Sequence, residues 1–174
     1  MGVVHSFPRP RFPNRYHTYR IVISPLINGF HSTMHVNSGS SNECIMFICG
    51  PNVVNAGKYS PKEWEGLYSG IVFTEIDHNY INPLSENYKE ELSKTFGDPR
   101  WIKKDSQAAG YGNGTAYFNE YFTHAVFLLY IKDYYTKQEL ATIKTTLSRL
   151  YPALIEWGTL MKQQMKNGVN VPAL

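Results

Sequence analysis

The sequence has few cysteines, few charged residues and no long hydrophobic run. Its 174 residues include only 2 cysteines, Cys44 and Cys49, which are too few for a disulfide scaffold or a cysteine-based zinc site. Both fall in one apolar segment at an odd spacing, so in a strand they would point to opposite faces and should not pair. No segment approaches the ~20 apolar residues that a membrane helix needs, so we expect no membrane span.

Charged residues make up only 18% of the chain, and the formal net charge is +3. The densest basic group begins in the N-terminal segment 1–18, whose prolines favour an extended arm. No basic stripe continues into the rest of the chain, so we expect no nucleic-acid partner. The N-terminus also lacks the apolar segment of a signal peptide. With 43% hydrophobic residues, residues 19–174 should form a single globular domain.

The strand signals precede Gly50 and the helix signals follow it. The predicted strands are Tyr19–Ser24, His31–Val36 and Glu43–Cys49, which are apolar segments bounded by turn residues. The helices are predicted at residues 60–80, 85–96, 115–132 and 136–166, with a glycine-rich loop at residues 98–115. This order predicts an α+β fold, with a short N-terminal β-sheet followed by a helical bundle.

Capping signals and prolines set the predicted helix boundaries. Ser60 to Glu63 and Thr136 to Glu139 each form a capping box, in which a Ser or Thr side chain and a glutamate satisfy the first backbone N–H groups. Asn82-Pro83 should end the first helix, and Pro152 should break the last one.

The first candidate site residues lie in the segment Ile71–Pro83, IVFTEIDHNYINP. Thr74 to His78 has the outline of the zinc-peptidase signature HExxH with its first histidine replaced by Thr74. In that signature two histidines on one helix face bind zinc, and the glutamate is the general base. Glu75 is therefore a candidate catalytic base and His78 a candidate metal ligand. The alternative is a surface glutamate and histidine near a helix end.

The second candidate segment is Asn119-Glu120 in the apolar third helix, with Glu120 lying 42 residues after His78. An acidic residue in so apolar a helix needs a partner, and zinc would supply one. A catalytic zinc keeps three protein ligands and one open position, so Glu120 is a candidate ligand. The alternatives are a salt bridge to a lysine or exposure at the helix N-terminus.

Together these segments resemble a family of bacterial zincin-like metallopeptidases whose function is unknown. The motifs are Ser24-Pro25-Leu26, Glu75-x-x-His78 followed by Asn82-Pro83, and Asn119-Glu120, and the match extends from about Tyr19 onward. The resemblance implies a zincin-like fold, zinc as cofactor, Glu75 as general base, and His78 and Glu120 as ligands. It also implies a peptide or protein substrate, and export to the periplasm or the medium.

The sequence departs from that family at two positions. Thr74 stands where the first ligand histidine belongs, and a threonine hydroxyl is a poor zinc ligand. His124 stands four residues after Glu120, where the pattern has an acidic residue that orients the missing histidine. We hypothesise that His124 supplies the third ligand, which requires a ring nitrogen within about 4 Å of the His78–Glu120 centre. The alternative is a core histidine bonded to a backbone carbonyl.

Three functions follow from these residues. The first is a zinc-dependent, metallopeptidase-like protein with a degenerate motif and reduced or lost activity, in which Tyr111 is a candidate oxyanion donor. The second is a catalytically inactive zincin-fold binding protein without metal, and the third is an interaction domain in which the pattern is accidental. Thr74 favours the second function, whereas the retained Glu75, His78 and Glu120 favour the first.

Overall fold

The structure, a computed structural model, describes residues 16–27, 30–50, 57–101 and 110–159. It has an α+β fold, as predicted, in which a small N-terminal sheet precedes a mostly helical region. Three parts of the predicted organisation lie outside the described residues: most of the predicted arm, residues 102–109 of the predicted loop, and the end of the last predicted helix.

The sheet has three strands, β1 Thr18–Ser24, β2 Ser32–Ser38 and β3 Ser41–Cys49. β3 is the central strand, and it pairs in parallel with β1 and antiparallel with β2. The turn between β2 and β3 contains Gly39 at φ 58°, in the left-handed region that favours glycine. The strands therefore lie where their apolar segments predicted them.

In the described part of the chain the sheet is followed by the α-helices α1 Pro61–Ser85, α2 Lys89–Phe96, α3 Gly114–Ile131 and α4 Lys137–Leu150. Both predicted capping boxes form, with Ser60 preceding α1 and Thr136 preceding α4. α2 starts at Lys89 and not at residue 85, because a short 3-10 turn precedes it. The helical conformation stops before Pro152, as predicted, and resumes over residues 154–159.

The predicted end of α1 at Asn82-Pro83 is wrong, because the helix continues through Pro83 to Ser85. Proline removes one backbone hydrogen bond from a helix, and this cost can be offset by packing. Here Ile81 and Ser85 are both buried, and the Ser85 hydroxyl donates to the Asn82 carbonyl over 3.1 Å. The packing of this last turn therefore outweighs the local helix-stop signal.

α1 lies between the sheet and α3. On one side Ile71, Val72 and Ile76 pack against the buried β3 residues. On the other side the rings of Phe73 and Phe127 lie 5.5 Å apart between their centroids. A helix packed on two sides buries residues around most of its circumference, so polar side chains in its middle are enclosed as well.

α1 and α3 approach each other closely at Gly70, one turn before Thr74. A Cβ atom on Gly70 would lie 2.8 Å from a ring carbon of Phe127, which is itself 1% exposed. The absence of a side chain at Gly70 therefore sets the spacing between the two helices at the level of the candidate site.

We expect Gly70→Ala to destabilise the protein although alanine is the better helix former. The gain in helix propensity, up to about 1 kcal/mol, is smaller than the cost of overpacking, which is about 1–3 kcal/mol. Urea unfolding measures the difference. Gly158→Ala is the control, because a Cβ there meets nothing within 4 Å. Equal stabilities for the two variants would contradict the close approach.

Candidate functional site

The predicted site residues of α1 and α3 meet where the two helices pack. His78 Nε2 lies 3.1 Å from Glu120 Oε1, and His124 Nε2 lies 3.9 Å from Glu120 Oε2. Glu75 is only 9% exposed, on the same helix as His78. The alternative of surface residues near a helix end is therefore wrong, and Glu120 is paired with a histidine rather than a lysine.

Thr74 is also buried, but its hydroxyl is directed to its own helix. Its Oγ1 donates to the carbonyl of Ile71 over 3.1 Å. Residues four apart share a helix face, so Thr74 lies one turn before His78 on the side that carries the site. Position 74 therefore lies on the side of α1 that carries His78, and the polar group of its side chain is already bonded.

Two tyrosines complete the surroundings of Glu120: Tyr111, and Tyr151, which the sequence analysis did not predict. The Tyr151 hydroxyl donates to Glu120 Oε2 over 3.2 Å, and the hydroxyls of Tyr111 and Tyr151 lie 3.2 Å apart. The Tyr151 ring also packs on His124, with 4.1 Å between ring centroids. Tyr111 was the candidate oxyanion donor. It contacts the site through its hydrogen bond with Tyr151. Its role as oxyanion donor stays a prediction.

The position of Tyr151 follows from the proline after it. A residue that precedes proline is disfavoured in the helical conformation, and Tyr151 adopts φ −127° and ψ 81°. The chain therefore leaves α4 at this residue, and the Tyr151 side chain is 4% exposed in the core beside α3. The Tyr151-Pro152 pair was the only sequence signal for this contact, and it predicted a helix break and not a site residue.

The carboxyl groups of the site differ in their proton affinity. The pKa of Glu75 is raised to about 7, mainly by burial; His78 opposes this rise and the neighbouring Glu120 adds to it. Burial also raises the pKa of Asp77, to about 6. Although burial acts to raise the pKa of Glu120 as well, its hydrogen bond with His78 lowers the value overall. Glu120 therefore carries the negative charge, whereas Glu75 exchanges its proton near neutral pH.

His78 and His124 also differ in pKa. Burial acts to lower the pKa of His78, but the contact with Glu120 raises it overall, so His78 and Glu120 form an ion pair. Burial lowers the pKa of His124 to about 4, so its ring is neutral at pH 7. His124 Nδ1 is buried and has no hydrogen-bond partner among the described residues. The alternative of a bond from this ring to a backbone carbonyl is not seen within those residues.

The side chains do not form a complete zinc site. Across residues 16–27, 30–50, 57–101 and 110–159, no three His, Cys, Asp or Glu side chains are arranged to hold one metal ion. The facing atoms of His78 and Glu120 are bonded to each other, and Thr74 offers no imidazole. His124 Nε2 lies 3.9 Å from Glu120 Oε2, and its role as third ligand stays a hypothesis.

The sheet fixes the helical turn that carries Glu75. Asn79 is 1% exposed, and its side-chain amide donates to the Glu75 carbonyl over 2.6 Å and to the Thr33 hydroxyl over 2.9 Å. His35 of β2 also bonds to Asn79. A buried amide with partners on both elements holds α1 in one register against the sheet.

No protein-family model, curated protein or solved structure matches this chain. Among the helices that the structure describes, none combines the length and the hydropathy that crossing a membrane requires.

We expect Glu75→Gln to stabilise the protein at pH 8 but not at pH 4. The pKa of Glu75 is raised from 4.5 to about 7, so its proton contributes stability that is complete below pH 4.5 and is lost as the pH rises through 7. A shift of this size corresponds to at most about 3 kcal/mol. Urea unfolding at pH 4 and pH 8 measures the change in the free energy of unfolding. Glu91→Gln, at an exposed glutamate, is the control. An equal effect at both pH values would contradict the burial of this carboxyl group.

We expect Tyr151→Phe to destabilise the protein by about 1–3 kcal/mol, because it removes a donor from a buried carboxylate. The matched control is Tyr117→Phe, since Tyr117 is equally buried at 4% exposure and its hydroxyl is not bonded to Glu120. Urea midpoints of the two variants are compared at pH 7. Equal urea midpoints for the two variants would contradict the hydrogen bond between Tyr151 and Glu120.

Proposed function

We propose that the protein is a zincin-like, metallopeptidase-like protein whose zinc site is incomplete and whose hydrolytic activity is reduced or lost. The observation that carries this proposal is the 3.1 Å contact between His78 and Glu120. These residues belong to separate segments of the family pattern, and an accidental pattern would give them no reason to face each other in the core. Their contact therefore supports the metallopeptidase-like function over an unrelated interaction domain.

The surroundings of Glu75 support its assignment as the general base. A general base works best when its pKa lies near the working pH, and burial raises the pKa of Glu75 to about 7. Glu75 also lies on the helix that carries His78, as the family pattern requires. A carboxyl group with no function at this position would only weaken the fold at neutral pH.

Thr74 is the reason for proposing reduced or lost activity. Zinc sites in hydrolases use three protein ligands, and two ligands bind the metal weakly. The Thr74 hydroxyl is a poor ligand and is bonded to the Ile71 carbonyl. The remaining candidate, His124, is buried beside Glu120, with its Nε2 3.9 Å from Glu120 Oε2.

The second candidate function is a metal-free protein that binds a peptide or protein ligand. It is favoured by the hydrogen bonds of Glu120, whose two carboxylate oxygens are satisfied by His78 and Tyr151 without a metal. In that function Glu75, His78 and Glu120 would act only as hydrogen-bonding groups. Zinc binding distinguishes the two candidates.

The test is zinc content and affinity after purification without chelator. We expect the wild-type protein to hold less than about a tenth of an equivalent of zinc, and Thr74→His to bind about one equivalent. Thr74→Gln is the matched control, because glutamine has a similar size but no imidazole. Adding His78→Gln to Thr74→His should abolish the gained zinc.

Two outcomes would change the proposal. If Thr74→His folds, as judged by circular dichroism, but binds no zinc, the site lacks the metallopeptidase geometry and the metal-free function is favoured. If the wild-type protein binds one equivalent of zinc and His124→Gln loses it, His124 is the third ligand and the site is complete.

A further inference from the structure

The edge of the sheet at β1 carries a row of exposed apolar side chains. The strand order is β1-β3-β2, so β1 pairs with β3 on one side and with no other strand of the described residues on its outer side. Tyr19, Ile21 and Ile23 alternate along β1 and are 41%, 48% and 60% exposed. Alternate residues of a strand point to the same face, so these three side chains form one row.

The row is exposed because α1 covers β3 and β2 rather than β1. In the parallel register the row lies beside the three β3 residues that pack under α1, all at 0% exposure: Cys44, Met46 and Ile48. α1 is also bonded to the opposite edge strand, through the hydrogen bond from Asn79 to Thr33 of β2. The Tyr19 hydroxyl reaches Tyr80 of α1, but the residue stays 41% exposed. The apolar face of the sheet therefore extends past α1 at the β1 edge.

β1 lacks the features that keep an edge strand from pairing. Charged side chains, prolines and bulges protect such edges, because the unpaired backbone N–H and C=O groups are a template for another strand. The register of β1 with β3 is continuous, without a bulge, and Pro25 comes only after the strand. The single charged residue of β1, Arg20, is bonded to Glu43 of β3 over 2.9 Å. β2, the other edge strand, is mostly polar. β1 is therefore the edge that is suited to adding a strand.

A second copy of β1 fits this edge. Antiparallel pairing about a two-fold axis at Ile21 places Ile21 opposite its own copy and Tyr19 opposite Ile23 of the second copy, all on one face. On the other face Arg20 lies opposite Val22 of the second copy, so no like charges meet. The row is therefore complementary to itself in both shape and charge.

The exposed area is sufficient for a small interface. Together with Leu26, which is 88% exposed just after the strand, the row exposes on the order of 500 Å² per copy, so that a pair of copies buries about 1,000 Å², the lower limit of a specific interface. The segment that precedes β1 is a less suitable partner, because Pro8, Pro10 and Pro13 lack the N–H group that a pairing strand donates.

We propose that two copies of the protein associate through antiparallel pairing of their β1 strands. The two three-stranded sheets then form one continuous sheet, and the apolar row of each copy packs against the row of the other. Because the buried area is small, the dimer is reversible. The interface uses none of the residues of the candidate site, so its test is independent of the zinc measurements.

The first test is the molar mass of the full chain by sedimentation, from low micromolar to a few hundred micromolar protein. We expect a monomer–dimer equilibrium in the wild type. Ile21→Lys should weaken it at least about tenfold, because it puts two ammonium groups opposite each other at the axis. Val36→Lys is the matched control and should leave the equilibrium unchanged, since Val36 is 39% exposed on β2, at the other edge of the sheet.

Cysteine cross-linking tests the register of the pairing. Ile21→Cys, in a Cys49→Ser background, should form a disulfide-linked dimer on oxidation, because opposite residues of an antiparallel pair have Cα atoms about 4.5–5.5 Å apart. The remaining native cysteine, Cys44, is fully buried. Met34→Cys, at a position 46% exposed on β2, is the control and should stay unlinked.

Three results would overturn the proposal. The first is a wild-type protein that stays monomeric over the whole concentration range, because another segment or ligand then covers β1. The second is a dimer that a folded Ile21→Lys variant leaves intact. The third is a dimer that the Ile21→Cys variant does not link, or that the Met34→Cys variant links equally well. If Ile21→Lys fails to fold, as judged by circular dichroism, the cross-linking result decides.

Discussion

The architecture depends on how ionisable side chains are accommodated between α1 and α3. An isolated charge in such an interface would cost several kcal/mol. The cost is reduced in two ways, because His78 and Glu120 pair directly and Glu75 holds a proton near neutral pH. The glycine at position 70 lets the helices approach closely enough for these contacts. The site and the helix packing are therefore parts of one arrangement.

The N-terminal sheet supports this arrangement from the opposite side of α1. The apolar residues of β3 cover one face of the helix, and Asn79 connects the Glu75 turn to β2 through buried hydrogen bonds. Covering both faces of α1 is what removes Glu75 from water and raises its pKa. The N-terminal sheet thereby contributes to the raised pKa of the candidate base Glu75.

Much of the fold follows from local sequence signals, whereas only part of the site does. The strands and both capping boxes were predicted because apolar runs and cap residues act over a few positions. The end of α1 was not predicted correctly, because burial of Ile81 and Ser85 outweighs the effect of Pro83. His78 and Glu120 were named together as candidate site residues from a sequence resemblance, and the structure places them 3.1 Å apart. Tyr151 was missed, because its contact with Glu120 depends on the direction that the chain takes after α4.

A double-mutant cycle between His78 and Glu120 tests the central claim most directly. The unfolding free energies of His78→Ala, Glu120→Ala and the double variant, measured at pH 7, isolate the energy that couples the two side chains. A buried ion pair across α1 and α3 predicts a favourable coupling of about 1–3 kcal/mol. A coupling close to zero would contradict the claim that this pair holds the candidate site together.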